Sequence, residues 1–90
     1  MVEDNSKNLI DFPCHFPIKV IGEVSDNFSD IIISIIRAHT ELFDASSIEM
    51  RGSSQGKYIS LTCNIYVESK AQLDQIYIDL SKHPITKFVL

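Results

Sequence analysis

Thiol and imidazole side chains are the first candidates for chemistry in this sequence. Cys14 and His15 are neighbours, and His39, Cys63 and His83 are the other soft ligands. A metal site needs several such ligands converging on one point, and nucleophilic catalysis needs a thiol or hydroxyl beside a positioned base. The spacing of these residues matches neither pattern. We therefore predict no metal, no cofactor and no catalytic residue, and we expect the chain not to be an enzyme.

The glycine-rich segment 52–56 invites comparison with a phosphate-binding loop. A P-loop joins a strand to a helix, and a Lys-Ser or Lys-Thr pair follows its second glycine. Here Lys57 and Tyr58 follow Gly56, the spacing between the glycines is one residue short, and the next element has the pattern of a strand. A hairpin connection between two strands is therefore the prediction for this segment.

Alternation of apolar and polar residues predicts the strands. The pattern is clearest over 57–67, where one face is apolar and the other polar and partly aromatic. Shorter strands are predicted over 17–22, 47–52 and 85–90. Before them, residues 9–17 contain Pro13 and Pro17, so we expect a lead-in packed on the domain edge rather than a strand.

Two segments have helical periodicity. Residues 27–39 repeat apolar side chains at intervals of three and four, and their isoleucines are poor helix formers, so packing must hold this helix. Residues 70–82 bury a similar face and end before Pro84. Ser69 and Gln72 have the spacing of a capping box at the start of the second helix.

The order strand, helix, strand, strand, helix, strand predicts an α+β fold of the ferredoxin-like βαββαβ type. We expect a four-stranded antiparallel sheet, in the order 4-1-3-2, with both helices on one face. Residues 1–8 lack apolar periodicity and predict a flexible N-terminal tail. Residues 9–90 then form a single domain.

Helices on one face leave the other face of the sheet open. This open face is the candidate surface for a homodimer or a protein partner, and a solvated face without a role is the alternative. RNA binding is a further alternative, because two tyrosines could stack bases. The candidate residues are Lys19, Glu49, Arg51, Tyr58, Ser60, Thr62, Asn64 and Tyr66; Ile21 lies among them.

Charge and hydropathy narrow the classes of partner. The formal net charge is −4 and basic residues are scattered, which disfavours nucleic acid and anionic membrane surfaces. Apolar runs are far shorter than a membrane span, and the polar N-terminus is unlike a secretory signal. We predict a cytoplasmic protein in which Cys14 and Cys63 are free thiols, with Cys63 in the core.

Three sequence blocks together resemble a known family. They are Phe12-Pro13-x-x-Phe16-x-x-Lys19-Val20-x-Gly22, then Ser53-Ser54-x-Gly56-x-Tyr58-x-Ser60-Leu61-Thr62, and the ending Phe88-Val89-Leu90. From about residue 9 to residue 90 the chain looks like the YbeD-like bacterial proteins, which are small, cytoplasmic and uncharacterised. The resemblance implies a ferredoxin-like fold similar to ACT regulatory domains, which bind small-molecule effectors. We therefore expect a regulatory or protein-interaction module, with an ACT-like sensor as the alternative.

Overall fold

A computed structural model describes residues 11–53 and 55–90. In chain order the elements are β1 (Cys14–Glu23), α1 (Phe28–Arg37), a single 3-10 turn (Ala45–Ser47), β2 (Glu49–Gly52), β3 (Tyr58–Val67), α2 (Lys70–Lys82) and β4 (Thr86–Val89). The predicted N-terminal tail, residues 1–8, lies outside the described residues.

The four strands form one sheet in the order β2-β3-β1-β4. Every neighbouring pair is antiparallel. This order, read from its other edge, is the predicted 4-1-3-2, so the ferredoxin-like fold is confirmed. The longest pairing joins β1 to β3, from Cys14 opposite Val67 to Glu23 opposite Tyr58.

β1 is longer than predicted, because it begins at Cys14 and continues through Pro17. Lys19 exchanges both backbone hydrogen bonds with Leu90, so the odd-numbered residues of β1 direct their backbone groups toward β4. The nitrogen of Pro17, which carries no hydrogen, therefore points to the β4 side, at a position where no residue of β4 lies opposite. A proline costs no ladder hydrogen bond at such a position, and the prediction that the strand starts only at residue 17 was wrong.

The core lies between the sheet and the two helices. Phe28, Ile32 and Ile36 of α1 are fully buried, as the isoleucine spacing predicts. The other buried apolar residues are Ile18, Val20, Phe43, Leu61, Cys63, Ile65, Val67, Leu73, Ile76 and Leu80. Met50 lies opposite Leu61 on the same side of the sheet but is 56% exposed, because the helices do not cover the edge strand β2.

Gly22 has a packing role inside β1, whereas the predicted strand ended at this residue. It lies within β1 and is buried. A Cβ atom at this position would lie 2.5 Å from the carbonyl oxygen of Ile85 and would overlap the ring of Phe28. The absence of a side chain therefore allows the start of α1 and the segment before β4 to pack on the strand.

The connections use short-range hydrogen bonds. The Ser69 hydroxyl accepts from the backbone N–H of Gln72 at 3.1 Å, as predicted, while the Gln72 side chain accepts from Glu68 rather than Ser69. In the predicted hairpin, the Ser53 hydroxyl accepts from the N–H of Lys57 and of Tyr58. Within the described residues, neither helix is long and apolar enough to cross a membrane.

Candidate functional site: the open sheet face and an adjoining cleft

The face of the sheet opposite the helices carries the side chains predicted from the sequence. Strand register arranges them in rows, because directly paired residues in antiparallel strands point to the same side. One row runs Phe88, Ile21, Ser60, Arg51, and the next runs Leu90, Lys19, Thr62, Glu49. Asn64 lies opposite Pro17, Tyr66 opposite His15 and Tyr58 opposite Glu23.

All eight predicted residues therefore share one surface, which we call the open face. The alternation of burial along β3 explains why the prediction of its outward residues was right. Leu61, Cys63, Ile65 and Val67 are buried, whereas their neighbours are half-buried or exposed. Tyr66 and Tyr58 occupy the two ends of β3. The Tyr66 ring lies 5.2 Å from the His15 ring, centroid to centroid, and the ammonium group of Lys57 lies 5.7 Å from the Tyr58 ring centroid.

Two exposed apolar members of the open face were missed by the sequence analysis. Phe88 is 63% exposed and Leu90 is 64% exposed, and both point away from the helices beside the half-buried Ile21. We call these three residues the apolar corner. Strand alternation could have predicted the outward direction of these two side chains. Val89 pairs with the buried Val20, so its neighbours Phe88 and Leu90 must point to the opposite face.

Charges border the apolar corner. Lys87 and Glu23 form an ion pair of 3.5 Å between Nζ and Oε2, so these two charges balance each other. Lys19 lies next to Leu90, and Glu49 lies across Thr62 from Lys19. The open face thus combines exposed apolar side chains with charges of both signs, which is typical of interaction surfaces.

A cleft of about 720 Å³ adjoins the end of the open face at which β3 terminates. It separates the second half of β3 from the segment 39–47. Its lining residues are His15, His39, Thr40, Glu41, Leu42, Phe43, Asp44, Ser47, Asn64, Tyr66, Glu68 and Gln72. The sequence analysis did not predict this cleft, because its two walls are distant in the sequence.

Side-chain hydrogen bonds hold the far wall of the cleft in place. Arg37, at the end of α1, donates from Nε and Nη2 to the carbonyl oxygen of Phe43 at 3.4 and 3.1 Å. The Asp44 carboxylate accepts from the hydroxyl and N–H of Ser46. The Ser46 hydroxyl contributes most to lowering the pKa of Asp44, and its N–H adds to the effect.

A second network joins this wall to α2. His39 Nε2 lies 2.6 Å from Asp79 Oδ2, and the carboxylate can only accept in such a contact. Gln75 donates to the other oxygen of Asp79 at 3.0 Å. These bonds, first that from His39 and then that from Gln75, lower the pKa of Asp79. Gln72 donates to the backbone carbonyl of His39.

The thiols and imidazoles do not come together. Cys63 is buried in the core, as predicted, and burial raises its pKa to about 11. His15 lies on the open face, His39 pairs with Asp79, and His83 accepts from the N–H of Ile85 through Nδ1. Within the part of the chain that the structure describes, no group of His, Cys, Asp and Glu side chains has the geometry of a metal site.

Fold and surface together define a small α+β domain of the ferredoxin-like type with an uncovered sheet face. The chain belongs to the family described as "Protein of unknown function (DUF493)", whose family model matches residues 7–90. Its resemblance to YbeD-like bacterial proteins, predicted from the three sequence blocks, is thereby confirmed.

Relatives match this chain over nearly its whole length. A UPF0250 protein of Nitrosomonas europaea is 39% identical over 84 residues, which cover 93% of this chain and 97% of the relative. A UPF0250 protein of a Janthinobacterium species is 44% identical over 87 residues, covering 97% and 96%. The solution structure of protein HP0495 from H. pylori has a TM-score of 0.79 at 20% identity and covers 100% of this chain and 94% of its own. That likeness concerns the fold alone.

Proposed function

We propose that this protein is a non-catalytic protein-interaction module that pairs with a second copy of itself through the open face. The apolar corner carries the proposal. Phe88 and Leu90 expose most of their side chains on a surface that no element of the described chain covers. Full burial of one such side chain contributes about 1.5–3 kcal/mol, and a symmetric pair buries two copies of each.

The rows of the open face suit a two-fold arrangement. A rotation axis that runs parallel to the strands, between β1 and β3, lays β4 of one copy over β2 of the other. Phe88 then faces the partner's Arg51, an aromatic ring against a guanidinium. Lys19 faces the partner's Thr62, and Leu90 faces the partner's Glu49, whose carboxylate lies near Lys19. No two charges of like sign are opposed, so self-association is compatible with the charge of the surface.

Sedimentation of the Phe88→Lys variant tests this proposal. The wild-type chain is expected to sediment as a dimer that dissociates on dilution, and Phe88→Lys is expected to remain a monomer at the same concentrations. Ile78→Lys is the matched control, because Ile78 is 53% exposed on α2, on the helical side. A wild-type chain that stays monomeric at millimolar concentration, or an equal loss of dimer in the control, contradicts the proposal.

RNA binding and an ACT-like effector site stay predictions. Tyr58 and Tyr66 lie at opposite ends of β3, and eight steps of about 3.3 Å separate them by about 26 Å. That distance is too long for one pair of adjacent stacked bases. Glu49 lies beside Arg51 on β2 and weakens a phosphate site there. Filter binding at low salt and a thermal-shift screen with amino acids are the experiments that check these two alternatives.

A further inference from the structure

The second half of β3 has an unpaired edge. β2 pairs with β3 only from Gly52 opposite Ile59 to Glu49 opposite Thr62. The carbonyl oxygen of Tyr58 accepts from Ser53 on the β2 side, so the even-numbered residues of β3 direct their backbone groups to that side. Asn64 and Tyr66 therefore direct N–H and C=O groups past the end of β2, and within residues 11–53 and 55–90 no strand pairs with them.

The two residues that carry these backbone groups also line the cleft. Asn64 and Tyr66 line one wall, and residues 39–47 line the other. The segment 39–47 does not continue β2 as a strand along this edge; its 3-10 turn, Ala45–Ser47, contacts β3 without strand pairing, and residues of both line the opening of about 720 Å³. Unpaired strand groups beside an open groove are the requirements for strand addition, in which an extended peptide supplies the missing neighbour.

The cleft also carries side chains that define the chemistry of the guest. Glu41, Asp44 and Glu68 line it, and it contains no lysine or arginine among the described residues. Leu42 on its rim is 93% exposed, so its side chain is accessible to a guest. Carboxylates select a cationic guest, and Leu42 together with the Tyr66 ring offers an apolar contact.

We propose that this cleft binds an extended, lysine- or arginine-containing peptide segment of a partner protein, which adds as a short strand to the Asn64–Tyr66 edge of β3. Alternate side chains of the guest point to the two faces of the extended sheet. One set contacts Leu42 and the Tyr66 ring, and the cationic set lies near Glu41 and Glu68. The cleft does not include the apolar corner, but Asn64 and Tyr66 belong both to the cleft and to the open face, so the peptide is also tested on the Phe88→Lys variant, which is expected to be a monomer.

A peptide pair tests the strand addition. The probe is a short fluorescein-labelled peptide of alternating valine and lysine, followed by fluorescence polarisation with the full chain. The control peptide has the same side chains but N-methyl groups on alternate amides, which remove the N–H donors that strand pairing needs. We expect saturable binding of the first peptide and loss of binding by the second. Equal binding of both peptides, or no saturation by the first, overturns the proposal.

Protein variants test the place of binding. The double variant Glu41→Gln, Glu68→Gln is expected to weaken the peptide by about five- to tenfold, as loss of two exposed ion pairs predicts. The control Asp26→Asn, Asp30→Asn removes the same charge near the start of α1 and should bind as the wild type does. Equal weakening in both variants overturns the assignment to the cleft.

Amide spectra of the isotope-labelled chain locate the contact directly. We expect the peptide to shift the amide signals of Asn64 and Tyr66 and to slow their hydrogen exchange, also in the Phe88→Lys variant. Two results would contradict the proposal. The first is that the peptide shifts only the amide signals of the apolar corner. The second is that hydrogen exchange of Asn64 and Tyr66 slows equally without peptide when the protein concentration is raised. The second of these results would assign the cleft to another copy of this chain.

Discussion

His39 and Asp79 form a 2.6 Å contact between Nε2 and Oδ2 that joins the chain leaving α1 to the second half of α2. Both side chains are largely shielded from solvent, and Gln75 and Lys82 approach the other carboxylate oxygen. His39 begins the segment that forms the outer wall of the cleft. The contact therefore connects helix packing to the position of that wall.

The stability of the fold is expected to depend on the charge of Asp79. The hydrogen bond from His39, followed by that from Gln75, lowers the pKa of Asp79 from its ordinary value of 3.8. Stabilisation by the carboxylate is therefore fully present above pH 3.8 and is lost as the pH falls through the lowered value. Urea unfolding should show Asp79→Asn less stable than the wild type at neutral pH, with the difference vanishing in acid.

Asp74→Asn is the control for this pH dependence. Asp74 lies on the same helix and pairs only with Lys70 among the described residues, through an exposed contact, so its replacement should change the urea midpoint little at any pH. A difference between Asp79→Asn and the wild type that persists unchanged into acid would show that the carboxylate charge has no part in the stabilisation.

Gly22→Ala is expected to destabilise the fold by about 1–3 kcal/mol, which is typical of overpacking. The added methyl group would overlap the Phe28 ring and the Ile85 carbonyl, and Phe28 is fully buried. Gly52→Ala is the matched control, because no atom of the described chain lies within 4 Å of a Cβ there, and its change should stay within about 0.5 kcal/mol. Urea denaturation of both variants compares them, and equal midpoints would refute the packing role of Gly22.

Cys63 is expected to react with thiol reagents only when the protein unfolds. It is fully buried, and burial raises its pKa to about 11, so at about pH 8 on the order of one molecule in a thousand carries the reactive thiolate. Cys14 is only partly buried and should react first. In a Cys14→Ser variant, labelling should be slow and should accelerate with urea in step with unfolding. Rapid labelling of that variant in native buffer would contradict the burial.

The arrangement proposed for the homodimer makes a charge-rescue experiment decisive. The ammonium group introduced by Phe88→Lys would face the partner's Arg51, so repulsion should dissociate the pair. Adding Arg51→Glu replaces the repulsion by attraction and should restore at least part of the dimer, as measured by sedimentation. Arg51→Glu alone removes the guanidinium from the face of the Phe88 ring without opposing two like charges, so it should dissociate the dimer less than Phe88→Lys does. Failure of the double variant to recover any dimer would reject the two-fold arrangement.

Local sequence patterns were sufficient for the order of the strands and α-helices and for most of the open face. Alternation over 57–67 and the isoleucine spacing of α1 each report which side of one element is buried, because strand and helix repeat their faces at fixed periods. The cap of Ser69 is equally local, since it joins residues three apart in the sequence. For these reasons the order of elements, and the eight surface residues that follow from it, were predictable.

Only the tertiary structure decided how long-range neighbours meet. Pro17 is accommodated in β1 because β4 ends before reaching it, and Phe88 and Leu90 face outward because β4 pairs with β1 in one particular register. The cleft exists because β2 is shorter than β3, and His39 meets Asp79 across two helices. Each of these features depends on which strand or helix lies alongside another and where it stops, and no periodicity within a single segment contains that information.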